Sequence, residues 1–109
     1  MRVEITADAA GASGSGWPAT TYLMSYQSIE DFLPLATKHG AAHRERLRLF
    51  HSRGTLLMAG PLVDPINGDA IGLFTTREAA EEFVAGDQFV LNGVVARWTI
   101  PPWTGLIQG

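Results

Sequence analysis

Hydrophobic and polar residues alternate, cluster and break along this chain in a pattern that predicts four strands and two main helices. Residues 20–27 (TTYLMSYQ) are rich in β-branched and aromatic side chains and lie between Pro18 and Ser28, so they read as the first strand. Ser28 then precedes Ile29, Glu30 and Asp31, the signature of an N-cap with first-turn acids. Pro34 and Gly40 predict that the helix beginning there is broken. Over residues 41–52, Leu47, Leu49 and Phe50 sit among Arg44, Glu45, Arg46 and Arg48, an amphipathic helix for which Gly54 offers the left-handed stop. Residues 55–62 (TLLMAGPL) form the next strand, 63–69 (VDPINGD) a turn-rich loop and 70–76 (AIGLFTT) a third strand. Thr75 and Glu78 are spaced as a capping box for the helix at 77–85; Gly86 interrupts it, and Asp87 can cap a further turn as far as Asn92. The last strand, 94–100 (VVARWTI), ends at Pro101-Pro102.

The order β, α, β, β, α, β is the ferredoxin-like split βαβ arrangement, an α+β fold with a four-stranded antiparallel sheet and both helices on one face. Alternation predicts Leu56 and Met58 on one side of the second strand with Leu57 and Ala59 on the other, and Tyr22, Met24 and Tyr26 opposite Leu23 in the first. Both sheet faces are therefore apolar, and the chain's own helices suffice for one. A second copy, most simply in a two-fold homodimer, is expected on the other. Upstream, Val3 and Ile5 alternate with polar neighbours as an added edge strand would, ahead of a small-residue linker at 9–16 (AAGASGSG). The organisation read from this pattern is an N-terminal extension and linker over 1–19 and one domain over 20–107.

Composition narrows the chemistry. The 109 residues include no cysteine, which removes disulfides, thiolate nucleophiles and zinc–cysteine sites. A net charge of −3 lacks the basic excess of a nucleic-acid binder, and no apolar run reaches membrane-spanning length, so neither partner is expected and the default compartment is the cytoplasm. Gly14 and Gly16 lack the strand–loop–helix setting of a dinucleotide fingerprint, and no cofactor is expected. His39 and His43 are four apart, but no third ligand accompanies them, so no metal is expected either. His51 suits the C-terminal end of a helix, where it complements the dipole. Asp87 can be explained as a helix cap alone, and Tyr22 and Tyr26 fit a core as well as a pocket wall.

Two separated blocks carry a resemblance. His43-Arg44-Glu45-Arg46-Leu47-Arg48-Leu49-Phe50-His51, followed by Gly54-Thr55-Leu56-Leu57-Met58-Ala59-Gly60-Pro61, resembles the YciI-related (YCII) family, in which a histidine opens a helix that leads into Gly-x-Leu-Leu-x-Ala-Gly-Pro. Asp87-Gln88-Phe89, with Gly93-Val94 after it, resembles the family's Asp-Pro-Tyr/Phe segment, and Ile100-Pro101-Pro102-Trp103 its terminal strand, so the likeness covers about residues 20–104. It implies a dimeric α+β barrel, distantly similar to muconolactone isomerases, with an active site at a His–Asp pair that falls by motif position on His43 and Asp87. A carboxylate that accepts a hydrogen bond from one ring nitrogen fixes the tautomer and raises the basicity of the other.

The chemistry implied by the resemblance is lyase or isomerase proton transfer on a small cyclic metabolite, a lactone or a hydroxylated or chlorinated aromatic-derived compound. Arg44 or Lys38 would meet an anionic group, and Tyr22 and Tyr26 would line the pocket. Two features depart from the family pattern: Gly40 stands where an arginine is frequent, and Gln88-Phe89 stands where Pro-Tyr is found, which makes the pocket more apolar. The alternative is a noncatalytic ligand-binding or dimerisation module in which Asp87 only caps and His43 only packs. A buried His43 with Asp87 at its ring nitrogen, beside an apolar cleft, separates the first reading from the second.

Overall fold

The β-branched and aromatic segment Thr20–Ser28 forms β1, the central strand of the computed structural model, which describes residues 16–107. The expectation for Val3 and Ile5 lies outside those residues. β2 (Leu56–Pro61), β3 (Ala70–Phe74) and β4 (Val95–Thr99) complete an antiparallel sheet in the order β2-β3-β1-β4, the ferredoxin-like order. The chain does not end its pairing at Pro101-Pro102. It returns as a short fifth strand, β5 (Pro102–Thr104), with Thr104 opposite Thr20 and Pro102 opposite Tyr22. β4 and β5 thus share one edge of β1, and the Pro101 carbonyl between them accepts from Leu23 N at 2.9 Å. Proline is tolerated here because only its acceptor is used.

The helices are α1 (Leu33–Ser52), α2 (Arg77–Gly86) and the single turn α3 (Gln88–Leu91). The expected break in α1 is absent. Pro34 sits in the first turn, where a missing N–H has no helical partner to lose, and Gly40 is buried inside the continuous helix. Ser28 is not its N-cap. It remains in β1, where its hydroxyl donates to the Gly68 carbonyl at 2.6 Å, and Phe32 takes the cap position without a side-chain bond. Gly54, at φ +82°, follows α1, and its N–H donates to the His51 carbonyl. In α2 the cap is Thr76, one residue later than expected; its Oγ1 accepts from Ala79 N at 3.1 Å, which leaves Thr75 and Glu78 out of a capping box.

The core lies between the helices and one sheet face. Phe50 of α1, Phe74 of β3 and Phe83 of α2 meet there with centroids 5.3 to 6.3 Å apart, among Met24, Leu56 and Ile100. Each such aromatic contributes on the order of 1.5–3 kcal/mol by burial. A bulge between Leu56 and Met58 overturns the expected alternation of β2. Leu56, opposite Phe74, is 3% exposed, whereas Met58, opposite Leu73, is 64% exposed. The extra residue sends the two side chains to opposite faces. Leu23, Met58 and Ile71 lie on the face away from the helices, where Met58 and Ile71 are exposed. Among the described residues, no helix is long and apolar enough to cross a membrane.

Candidate active site

The site forms where α2 gives way to α3. Gly86 ends α2, and Asp87 turns extended (φ −73°, ψ 127°), capping α3 by accepting from Phe89 N at 3.2 Å. That geometry pushes the carboxylate under α1 and against β1, where Asp87 is fully buried. Its Oδ1 also receives Nδ1 of His43 at 2.8 Å, and its Oδ2 receives the Tyr26 hydroxyl at 2.8 Å. Cap and site are therefore one residue. Three donors thus meet the buried carboxylate, with both oxygens engaged.

His43 projects from α1 with only 14% of its side chain exposed. Phe89 lies parallel to its ring, 3.9 Å away and 7° from coplanar, and the edge of Phe83 approaches at 6.2 Å. The stack fixes the ring plane and Asp87 fixes its rotation. With the Asp87 carboxylate as acceptor, a neutral ring would carry its proton on Nδ1 and its lone pair on Nε2. The described residues contain no buried, unpartnered side-chain nitrogen or oxygen, so Nε2, which makes no hydrogen bond among them, is not sealed off from solvent. Burial most of all, then the charge of Asp87 and the hydrogen bond to it, hold the Tyr26 phenol far above its ordinary value, against a smaller downward pull from Arg46.

Beside the imidazole lies a cavity of about 320 Å³ walled by Met24, Phe32, Leu47, Val94 and the ring of Tyr26. Its polar groups are few, with His43 and Arg44 carrying the basic functions. The structure thus gathers His43, Asp87 and Tyr26 into one hydrogen-bonded cluster and adds Arg44 at the wall. Lys38 and Tyr22 are not brought there. Lys38 is exposed on α1, and Tyr22 packs beneath the Arg77 guanidinium at 5.2 Å. No group of three potential metal ligands occurs among the described residues. Phe89 is the contributor that residue types alone did not single out; its position two residues after a capping aspartate was the available signal.

Residues 20–104 match the YCII-related domain. The chain belongs to the YCII-related family. Protein YciI of Escherichia coli and that of Shigella flexneri are each 32% identical to this YCII chain over 92 residues, 75% of this chain and 94% of theirs. Among solved structures, the 5-chloro-2-hydroxyhydroquinone dehydrochlorinase TftG of Burkholderia phenoliruptrix, in complex with 2,5-dihydroxybenzoquinone, superposes with a TM-score of 0.65. It is 16% identical, and the match covers 77% of the YCII chain and 93% of that one. At that identity the likeness speaks for the fold, which is that of the dimeric α+β barrels.

Proposed function

We propose that this YCII chain is a small homodimeric enzyme of lyase or isomerase type, in which His43 moves a proton on a ring-shaped metabolite and Asp87 orients it. One observation carries the reading: Nδ1 of His43 lies 2.8 Å from a fully buried carboxylate while its ring borders an open, apolar cavity. In an elimination, Nε2 takes a proton from a ring C–H or O–H bond. The freed electron pair becomes a new C=C or C=O bond, and the leaving group departs with its own bonding pair. In an isomerisation the same nitrogen returns the proton to a different carbon. Either course passes through an imidazolium, which the adjacent Asp87 stabilises.

The cavity's apolar walls favour a ring with few polar groups, a lactone or a hydroxylated or chlorinated aromatic-derived acid or enol. Arg44, on the cavity wall, can pair with its anionic oxygen. The dehydrochlorinase of the same fold, in complex with a dihydroxybenzoquinone, supports this class. Exposed Met58 and Ile71, on the sheet face away from the helices, support the homodimer. The test is a thermal-shift and turnover screen over lactones and hydroxylated or chlorinated aromatics with wild type, His43→Ala and Asp87→Asn. A ligand that stabilises all three is expected to be turned over by wild type alone. Equal turnover in all three would remove both residues from the chemistry, and binding without turnover in any would leave a ligand-binding module.

A further inference from the structure

We propose that Tyr26 is a positioning residue for His43: its hydroxyl locks the Asp87 carboxylate in the rotation that presents Oδ1 to the imidazole. The inference deepens, and rests on, the reading of His43 as the proton-transfer group.

Oδ1 of Asp87 takes two donors, Nδ1 of His43 at 2.8 Å and Phe89 N at 3.2 Å, whereas Oδ2 takes one, the Tyr26 hydroxyl at 2.8 Å. Asp87 is fully buried, so without Tyr26 that oxygen would be an unpaired charge-bearing atom in the interior. The carboxylate would then turn toward any donor or water within reach, and Oδ1 would leave Nδ1. Tyr26 is itself 3% exposed, and the only acceptor its hydroxyl meets among the described residues is Asp87. Strand pairing with Ala70 on one side and Trp98 on the other fixes the backbone from which the hydroxyl is delivered.

The donor's neutrality matters. Arg46, on the same helix as His43, spends its guanidinium on the Phe83 and Glu82 carbonyls at 3.1 and 2.8 Å, and Arg44 faces the cavity. Neither forms an ion pair with Asp87, whose one partner able to carry a positive charge among the described residues is His43. A cation at Oδ2 would compete with the imidazole for the carboxylate. A phenol orients the group and leaves most of its charge for Nδ1. This Tyr26–Asp87–His43 chain joins β1, the α2–α3 junction and α1.

The test is the proton on Nδ1, followed by NMR of the ¹⁵N-labelled full chain. In wild type, His43 is expected as the Nδ1–H tautomer with a slowly exchanging proton. Tyr26→Phe keeps the ring and removes the hydroxyl; it is expected to speed exchange of that proton by about fivefold or more, the factor for one ordinary hydrogen bond, and to mix the tautomers. Tyr22→Phe, outside the chain, is expected to change neither. Should Tyr26→Phe not fold, ring-fluorinated tyrosine in a Tyr22→Phe background makes the remaining phenol a stronger donor, which should weaken the imidazole bond and move the Nδ1–H resonance upfield. An unchanged proton in a folded Tyr26→Phe chain, or an unmoved resonance on fluorination, would overturn the role of Tyr26 and leave the His–Asp pair standing. A wild type whose Nδ1 carries no proton would instead sink the reading on which the inference rests.

Discussion

Asp87 shows how much one side chain can hold in a domain of this size. It caps α3, receives Nδ1 of His43 and receives the hydroxyl of Tyr26, all while fully buried. Asp87→Ala removes a cap, worth about 1 kcal/mol, and strands two donors at about 1–3 kcal/mol each, so a loss of roughly 3–7 kcal/mol is expected in denaturant unfolding. Asp87→Asn, which keeps an acceptor oxygen, should cost clearly less. If the two substitutions were equally harmful, the donors would not depend on an acceptor there. Tyr26 adds a pH signature whose sign is set by its raised ionisation. A folded-state value above the unfolded value of 10.0 means that the folded chain retains a proton which the unfolded chain gives up in alkali. The corresponding stability is complete below pH 10.0 and is lost as pH rises beyond it. Unfolding free energy followed from pH 8 to about 11.5 should therefore fall more steeply in wild type than in Tyr26→Phe, by the slope of one proton. Parallel curves would mean that Tyr26 ionises in the folded chain as freely as in the unfolded one.

At the scale of elements, α1 carries both His43 and the arginines around it, and Gly40 is its weakest point. Glycine inside a helix costs roughly 0.5–1 kcal/mol relative to alanine, and the nearest atoms a Cβ there would meet are those of the Arg44 guanidinium, from 3.0 Å. Because the obstacle is the end of a flexible side chain, Gly40→Ala is expected to raise the melting temperature while displacing Arg44. Under the proposed role of Arg44, the variant should then bind an anionic ring ligand more weakly and a neutral one equally well; equal losses for both would separate Arg44 from anion recognition. The same helix shows where reading the chain succeeds and fails. Strands β1 and β3 were legible because β-branched and aromatic runs ended in turn residues. The break expected at Pro34 and Gly40 did not occur, because a first-turn proline and a single buried glycine both fit a continuous helix. The bulge at Leu57 was invisible to strict alternation, and the second proline at 102 concealed a strand that begins on it. For the site, His43 and Asp87 stand 44 residues apart, and only their place in two motif blocks suggested pairing. No spacing rule links Tyr26 to Asp87 across 61 residues, since that contact depends on which way β1 faces once the helices are packed.

Among the described residues, no helix covers the sheet face that bears Met58 and Ile71. α1 and α2 cover the side bearing Phe74 and Leu56, while Met58 at 64% and Ile71 at 38% exposure stand on the other. Two-layer domains bury both faces of a sheet of this composition or leave a patch that attracts a partner. In the proposed homodimer, two copies of the face meet about a two-fold axis, so each residue on it is met by the partner's equivalent patch and a single charge is introduced twice. Met58→Glu places two carboxylates in such an interface, and Ile71→Lys two ammonium groups, each without a countercharge. Sedimentation at micromolar concentration should therefore find wild type as a dimer, each single variant dissociated, and the Met58→Glu/Ile71→Lys double variant partly restored if the two positions approach one another across the axis. Neither position touches the aromatic core, so the dissociated variants should retain the folded circular dichroism spectrum. A wild-type monomer under these conditions would remove the dimer, and dimers that survive both charges would move the interface to another surface.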